Sequence, residues 1–170
     1  MTDRIAEPMV DLASIASETF ACYCEEIREQ VHELVAPLSD EQLWHNPYSY
    51  GNSIGHLLLH LTGNLSHYIG ARIAGTGYIR NRPLEFTDGS RRPKEDVLAA
   101  FDGAIELVIA TIRKQSAQDW AAPYSDPTTP DCNRFSVIQR MTAHAYHHVG
   151  QMIYIAKQLA KQQFGTRAAD

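Results

Sequence analysis

Between residues 135 and 164 the chain reads FSVIQRMTAHAYHHVGQMIYIAKQLAKQQF, and its apolar residues recur every three or four positions. That period belongs to a helix and argues against a strand over the same stretch. On a wheel of about 100° per residue, Val137, Met141, His144, His148, Ile155 and Leu159 fall within an arc of about 60°. A helix with one apolar stripe must bury it against other elements. The chain therefore has to supply further helices, and their cores must accommodate imidazoles.

Three more stretches carry the same period. The first runs from about Val10 to Val35, with Ala16, Phe20, Tyr23, Ile27, Val31 and Leu34 on one stripe, and Pro37 stops it. Ser39 with Gln42 is a capping-box pattern for a short turn. The second stretch starts at Ser53, an N-cap residue, and runs to about Gly75. The third starts at Pro93 and runs to about Gln115, with Val97, Phe101, Ile105, Val108 and Ile112 on one face. Ser136 with Gln139 reads as a capping box opening the fourth, which continues to about Lys161. No strand alternation, repeat or linker interrupts this series. The expected fold is all-α, a single four-helix bundle domain over residues 1–170. GTGYIRNRPLEFTDGSRRP and SAQDWAAPYSDPTTPDCNRF read as long connections, and loops of that length usually shape or cover a site.

Charge and composition exclude several classes. The net charge is -5 and no basic stripe is present, which argues against nucleic acid as a partner. No apolar run reaches the roughly 20 residues of a membrane span, and the start MTDRIAEPMVDLASIASE is too acidic for a signal peptide. A cytoplasmic protein is expected. Cys22, Cys24 and Cys132 lack C-x-x-C spacing and read as reduced thiols, with Cys22 and Cys24 pointing apart on one helix.

The chemistry lies in the histidines. His144 and His148, four apart, sit near the centre of the buried stripe, while His147 lies off it by roughly a quarter turn. Imidazoles among Val, Met, Ile and Leu need polar partners, and a divalent metal is one. The second helix offers His56, His60 and His67 within about 40° of each other. His60, the middle one, borders Leu57 and is expected to turn inward. Asn64, one turn on, stands ready as an outer partner or to hold a water. Against this stands the plainer possibility that each histidine is a hydrogen-bonded core or surface residue. An H-x3-H pair alone often arises by chance. The pair and the ladder together, in one bundle, favour a metal site. No P-loop, G-x-G-x-x-G or H-E-x-x-H motif is present.

HAYHHVGQ resembles the H-x-x-H-H-x-G-Q signature of the last long helix in the DinB-like (YfiT-like) superfamily of metalloenzymes. NSIGHLLLHLTGNL resembles that family's second-helix segment, where a histidine is followed four residues later by Asp or Asn. The helix order and long connections match over nearly the whole chain. The resemblance implies a four-helix bundle holding a divalent ion, nickel or zinc, on three histidines. Carried over by position, the ligands are His60, His144 and His148. Val149 stands where the family usually carries Arg, so a role of that Arg toward acidic substrates does not transfer. The resemblance further implies a transferase or isomerase acting with a low-molecular-weight thiol such as bacillithiol, mycothiol or glutathione, with a small-molecule substrate as partner.

The expected function is accordingly a metal-dependent enzyme in which the ion activates a substrate thiol. His147, Tyr48 and Tyr50 are candidates for moving protons; no catalytic residue is assigned. The alternative is a non-enzymatic metal- or small-ligand-binding bundle related to stress response. Leu57, Leu58, Leu59, Leu61 and Leu65 spread widely around the second helix. The surplus apolar surface predicts either a homodimer or cover by a long loop, and a homodimer is expected.

Overall fold

The computed structural model describes residues 11–126 and 131–167, with side chains through residue 162. The expected helix start at Val10, the acidic N-terminal residues 1–10, and residues 127–130 of the second long connection lie outside the described residues.

Seven α-helices are present among the described residues: α1 (Leu12–Val35), α2 (Asp40–Trp44), α3 (Ile54–Leu65), α4 (Leu84–Thr87), α5 (Lys94–Ile112), α6 (Ala117–Ala121) and α7 (Arg134–Arg167). A π-helical turn, Ser66–Ala71, continues α3. No named strand occurs among them. The four long helices pack in a ring: α1 touches α5 and α7, and α3 touches α5 and α7. α3 and α7 are thus neighbours, which sets the histidine ladder against the histidine pair.

Local chemistry explains the boundaries. The Asp11 side chain accepts from Ala13 N at 3.1 Å and opens α1. The Ser39–Gln42 capping box forms as its spacing predicts, and Ser53 Oγ accepts from His56 N at 3.2 Å. α7 departs from expectation. Its cap is Asn133, whose Oδ1 accepts from Ser136 N at 2.8 Å, so Ser136 already lies in the first turn. Asn is as strong a cap as Ser, and it precedes the helix by the right number of residues. Pro93 sits one residue before α5 rather than at its first position. Inside the long connections, Ser116 with Asp119 makes a capping box that starts α6. Tyr124 N donates to Cys132 O at 2.8 Å and Arg134 N to Ala122 O at 3.0 Å, tying the ends of the second connection together.

The apolar stripes fill the core. Val97, Phe101, Ile105, Val108 and Ile112 of α5 are all buried, as are Val137, Met141, Ile155 and Leu159 of α7. On α1 the buried face is wider than expected, including Ser17, Ala21, Cys24 and Val35, because α1 packs against two long helices. Tyr23 instead stands at the rim, edge-on to Tyr146 at 5.9 Å. Of the cysteines, Cys24 is buried and Cys22 exposed, and all three are free thiols.

Leu57, Leu58, Leu59, Leu61 and Leu65 are buried within this one chain. Contacts from α2, α4, α5 and α7 surround α3 on all sides, so loop cover accounts for the surplus apolar surface. Gly55 permits one of these approaches: a Cβ there would stand 2.7 Å from the Trp44 ring. No helix among the described residues is long and apolar enough to cross a membrane.

Candidate metal centre

His60 projects from the middle of α3, and His144 and His148 from successive turns of α7. Their ligand nitrogens lie within 4.8 Å of one another. His60 Nε2 and His144 Nε2 are 3.0 Å apart. The His144 and His148 ring centroids are 4.5 Å apart, and those of His60 and His148 4.8 Å. Nitrogens sharing one tetrahedral ion sit roughly 3.4 Å apart, given bonds of about 2.1 Å. The cluster brackets that separation, and the group could hold a metal ion.

The outer nitrogens are orientated. His60 Nδ1–H donates to Glu85 Oε2 at 2.8 Å. Glu85 comes from α4 and is itself clasped by Arg80, Nε to Oε1 at 2.6 Å and Nη2 to Oε2 at 2.8 Å. His148 Nδ1–H donates to Gln151 Oε1 at 2.8 Å, and Gln151 Nε2–H donates to His147 Nε2 at 3.1 Å. A proton held on Nδ1 leaves the Nε2 lone pair facing inward. This is how carboxylates and amides commonly fix the tautomer of a ligating histidine. The donor set, three neutral imidazoles with two orientated from behind, fits a divalent ion.

The electrostatics agree. Burial lowers the pKa of His60, against the opposing pull of the Glu85 hydrogen bond and charge. Burial, then the neighbouring His148 and His60, pushes His144 down to about 4. Burial lowers His148 as well, opposed by its bond to Gln151. All three groups are therefore neutral near pH 7, the state that metal ligation requires.

The remaining sequence candidates sit elsewhere. His56 turns away from the cluster. Its Nδ1 lies 2.8 Å from Ser53 Oγ, its Nε2 3.3 Å from Asp88 O, and its ring stands edge-on to Trp44. The N-cap captures it in the first turn of α3. His67 turns to Asp126 at 3.5 Å, His32 pairs with Asp102 at 2.9 Å, and His45 is exposed. Asn64 is buried one turn from His60, and its Oδ1 has no hydrogen-bond partner.

Two cavities flank α7. One, of about 560 Å³, is walled by Tyr48, Tyr50, Tyr154, His147 and Gln151. There partial burial, then Tyr154 and Tyr50, raise the Tyr48 pKa, so this phenol keeps its proton. The other, of about 290 Å³, opens on His60 and His144.

Sequence reasoning missed Glu85, Arg80 and Gln151. Gln151 carries a signal, since it stands three residues after His148 and so on the same helix face. Glu85 and Arg80 lie in a stretch without periodicity. Only its length marked it as a segment that shapes a site.

A family model described as the DinB superfamily matches residues 23–152, a span that includes His60, His144 and His148. No curated protein matches the chain. Among solved structures, the chain is similar to one described as the conserved protein of a locus from Enterococcus faecalis. The two are 15% identical, with a TM-score of 0.70 over 89% of this chain and 99% of that one. At that identity the likeness shows the fold alone.

Proposed function

The chain belongs to the DinB superfamily, and on that premise we propose that it is a metal-dependent enzyme that uses a low-molecular-weight thiol as nucleophile. His60, His144 and His148 hold the divalent ion, nickel or zinc. The observation that carries this reading is the convergence of three neutral imidazoles, two of them fixed from behind by Glu85 and Gln151. No Cys, Asp or Glu joins the three as a fourth ligand among the described residues. Three protein ligands with an open position are the mark of catalytic rather than structural centres. When bound, a divalent ion supplies Lewis acidity that lowers the pKa of a ligating thiol.

The chain's own groups have defined parts. Glu85 keeps the His60 proton on Nδ1, so that His60 Nε2 is a donor toward the ion. His144 Nε2 lies 3.0 Å from His60 Nε2, and His144 would hold the ion through Nε2 in the tautomer that carries its proton on Nδ1. His147 lines the neighbouring cavity, and its Nε2, which accepts from Gln151, would take the thiol proton on exchanging that bond. Tyr48 and Tyr50 wall the neighbouring cavity and narrow the access of water. In the transferase version, sulfur forms a bond to the electrophilic carbon as that carbon's leaving group departs.

The test uses protein purified without a polyhistidine tag. Elemental analysis should find near-stoichiometric nickel or zinc. Conjugation of bacillithiol, mycothiol or glutathione to a chromogenic electrophile should then depend on the metal and stop with chelator. Metal without turnover with any of these thiols would sink the enzyme and favour a metal-binding bundle. Protein without metal, indifferent to added nickel or zinc, would sink both.

A further inference from the structure

The cavity of about 290 Å³ beside the cluster is lined by Arg80, Arg82 and Arg140 together with Asn64, Tyr68 and His144, and by no carboxylate. Arg80 is neutralised by Glu85. Arg82 and Arg140 form no ion pair among the described residues. Arg82 stands over the Phe86 ring at 5.3 Å, and that ring packs against His60 at 4.8 Å. Arg140 precedes His144 by four residues on α7, and Asn64 follows His60 by four on α3, so each stands one turn from a histidine of the cluster on the same face. Two uncompensated guanidiniums beside neutral imidazoles make the cavity positive. Asn64 itself is 5% exposed and closes the inner wall of the cavity.

We propose that this cavity is an anion site for a small molecule that carries a carboxylate or a phosphate. Arg82 and Arg140 take the anionic group. Guanidinium groups suit this task because they bind oxyanions through charge-assisted, often paired hydrogen bonds. The volume suits a compact molecule rather than a polymer segment. The inference rests on the thiol reading only in making this group the anionic end of the substrate; the binding itself needs no metal.

The test is calorimetric titration of the full chain, stripped with chelator, with malate, with inorganic phosphate and with the neutral diamide of malate. Malate or phosphate should bind, and the diamide should not. Arg82→Gln and Arg140→Gln should each weaken the anion by about tenfold, the loss expected for one charge-assisted hydrogen bond. Arg28→Gln, distant from the cavity, should bind as the wild type does. A preference for malate assigns a carboxylate and a preference for phosphate assigns a phosphoryl group. Anions that bind no better than the diamide would overturn the proposal, as would wild-type affinity in both cavity variants with unchanged melting. Anion binding that survives while thiol turnover is absent would remove the enzyme reading and leave the anion site standing.

Discussion

Glu85 reaches His60 across the face of α3 at Gly63: Oε2 accepts from His60 Nδ1 at 2.8 Å, and a Cβ at position 63 would collide with Glu85 Oε1. One carboxylate thereby joins α4 to α3, fixes the His60 tautomer and neutralises Arg80. Glu85→Ala removes all three functions. It leaves the Arg80 guanidinium and the His60 Nδ1–H, both largely buried, without their acceptor. Loss of such an outer carboxylate typically costs 10- to 100-fold in metal affinity. Breaking a buried pair by removing one partner also destabilises the fold, by about 3 kcal/mol or more. Competition with a chelator measures the first effect and denaturant unfolding of the metal-free protein the second. Wild-type metal affinity in the variant would remove Glu85 from the centre.

Gly63→Ala tests the same contact from the other side. The glycine lies inside a helix, where alanine is the better helix former by about 1 kcal/mol. Propensity alone therefore predicts stabilisation. Burial predicts the opposite, because the added methyl occupies the place of the Glu85 carboxylate and pushes α4 outward. Overpacking of this kind costs about 1–3 kcal/mol. The variant should melt lower than the wild type and bind metal more weakly. A higher melting temperature would mean that α4 moves aside freely.

What the sequence made legible follows from periodicity. His144 and His148 lie on the buried stripe of a long helix, so their place in the core followed from 3.6 residues per turn. The same logic located Phe101 and Ile105. Glu85 obeys no such rule. It sits on a four-residue helix, in contact with a residue 25 positions earlier, and only the packed tertiary structure sets that distance. The π-helical turn at Ser66–Ala71 was equally hidden, since no residue pattern separates it from the α-helix it continues. Asn133 and Ser136 are both good caps three residues apart, and a propensity rule cannot choose between them. His56 and His60 illustrate the limit most clearly. They share a face of one helix, yet a serine hydroxyl in the first turn captures the first of them.

The pH dependence of stability follows from His144. Its pKa falls from 6.5 to about 4 on folding, first because it is buried and then because His148 and His60 face it. Between these values the unfolded chain binds a proton that the folded chain does not. Stability therefore rises with pH across this window; it is full above 6.5 and is lost as the pH falls toward 4. The lowered values of His60 and His148 act in the same direction. Melting of the metal-free protein should be followed from pH 4 to 8 beside that of His144→Phe, in which this proton is absent. The wild type should lose more stability than the variant as the pH drops through the window. Parallel profiles would show that His144 is not buried as described.

The ligand assignment is tested by setting His60 against His56. By spacing alone both could approach an ion, since they lie one turn apart on one face of α3. The structure separates them by their partners. Both nitrogens of His56 are near polar groups outside the cluster, Ser53 Oγ at 2.8 Å and Asp88 O at 3.3 Å. His60 turns Nδ1 to Glu85 and leaves Nε2 3.0 Å from His144. A three-ligand centre that loses one imidazole keeps too few donors to retain its ion through chromatography. His60→Ala, His144→Ala and His148→Ala should therefore each purify without metal. His56→Ala loses the ring that packs against Trp44 and a partner for the Ser53 hydroxyl, so it should melt somewhat lower. Its bound metal should stay near one ion per chain, because nothing it touches belongs to the cluster. Elemental analysis of the four untagged variants reads the result directly. An empty His56→Ala beside a loaded His60→Ala would reverse the assignment on α3 while leaving the α7 pair in place.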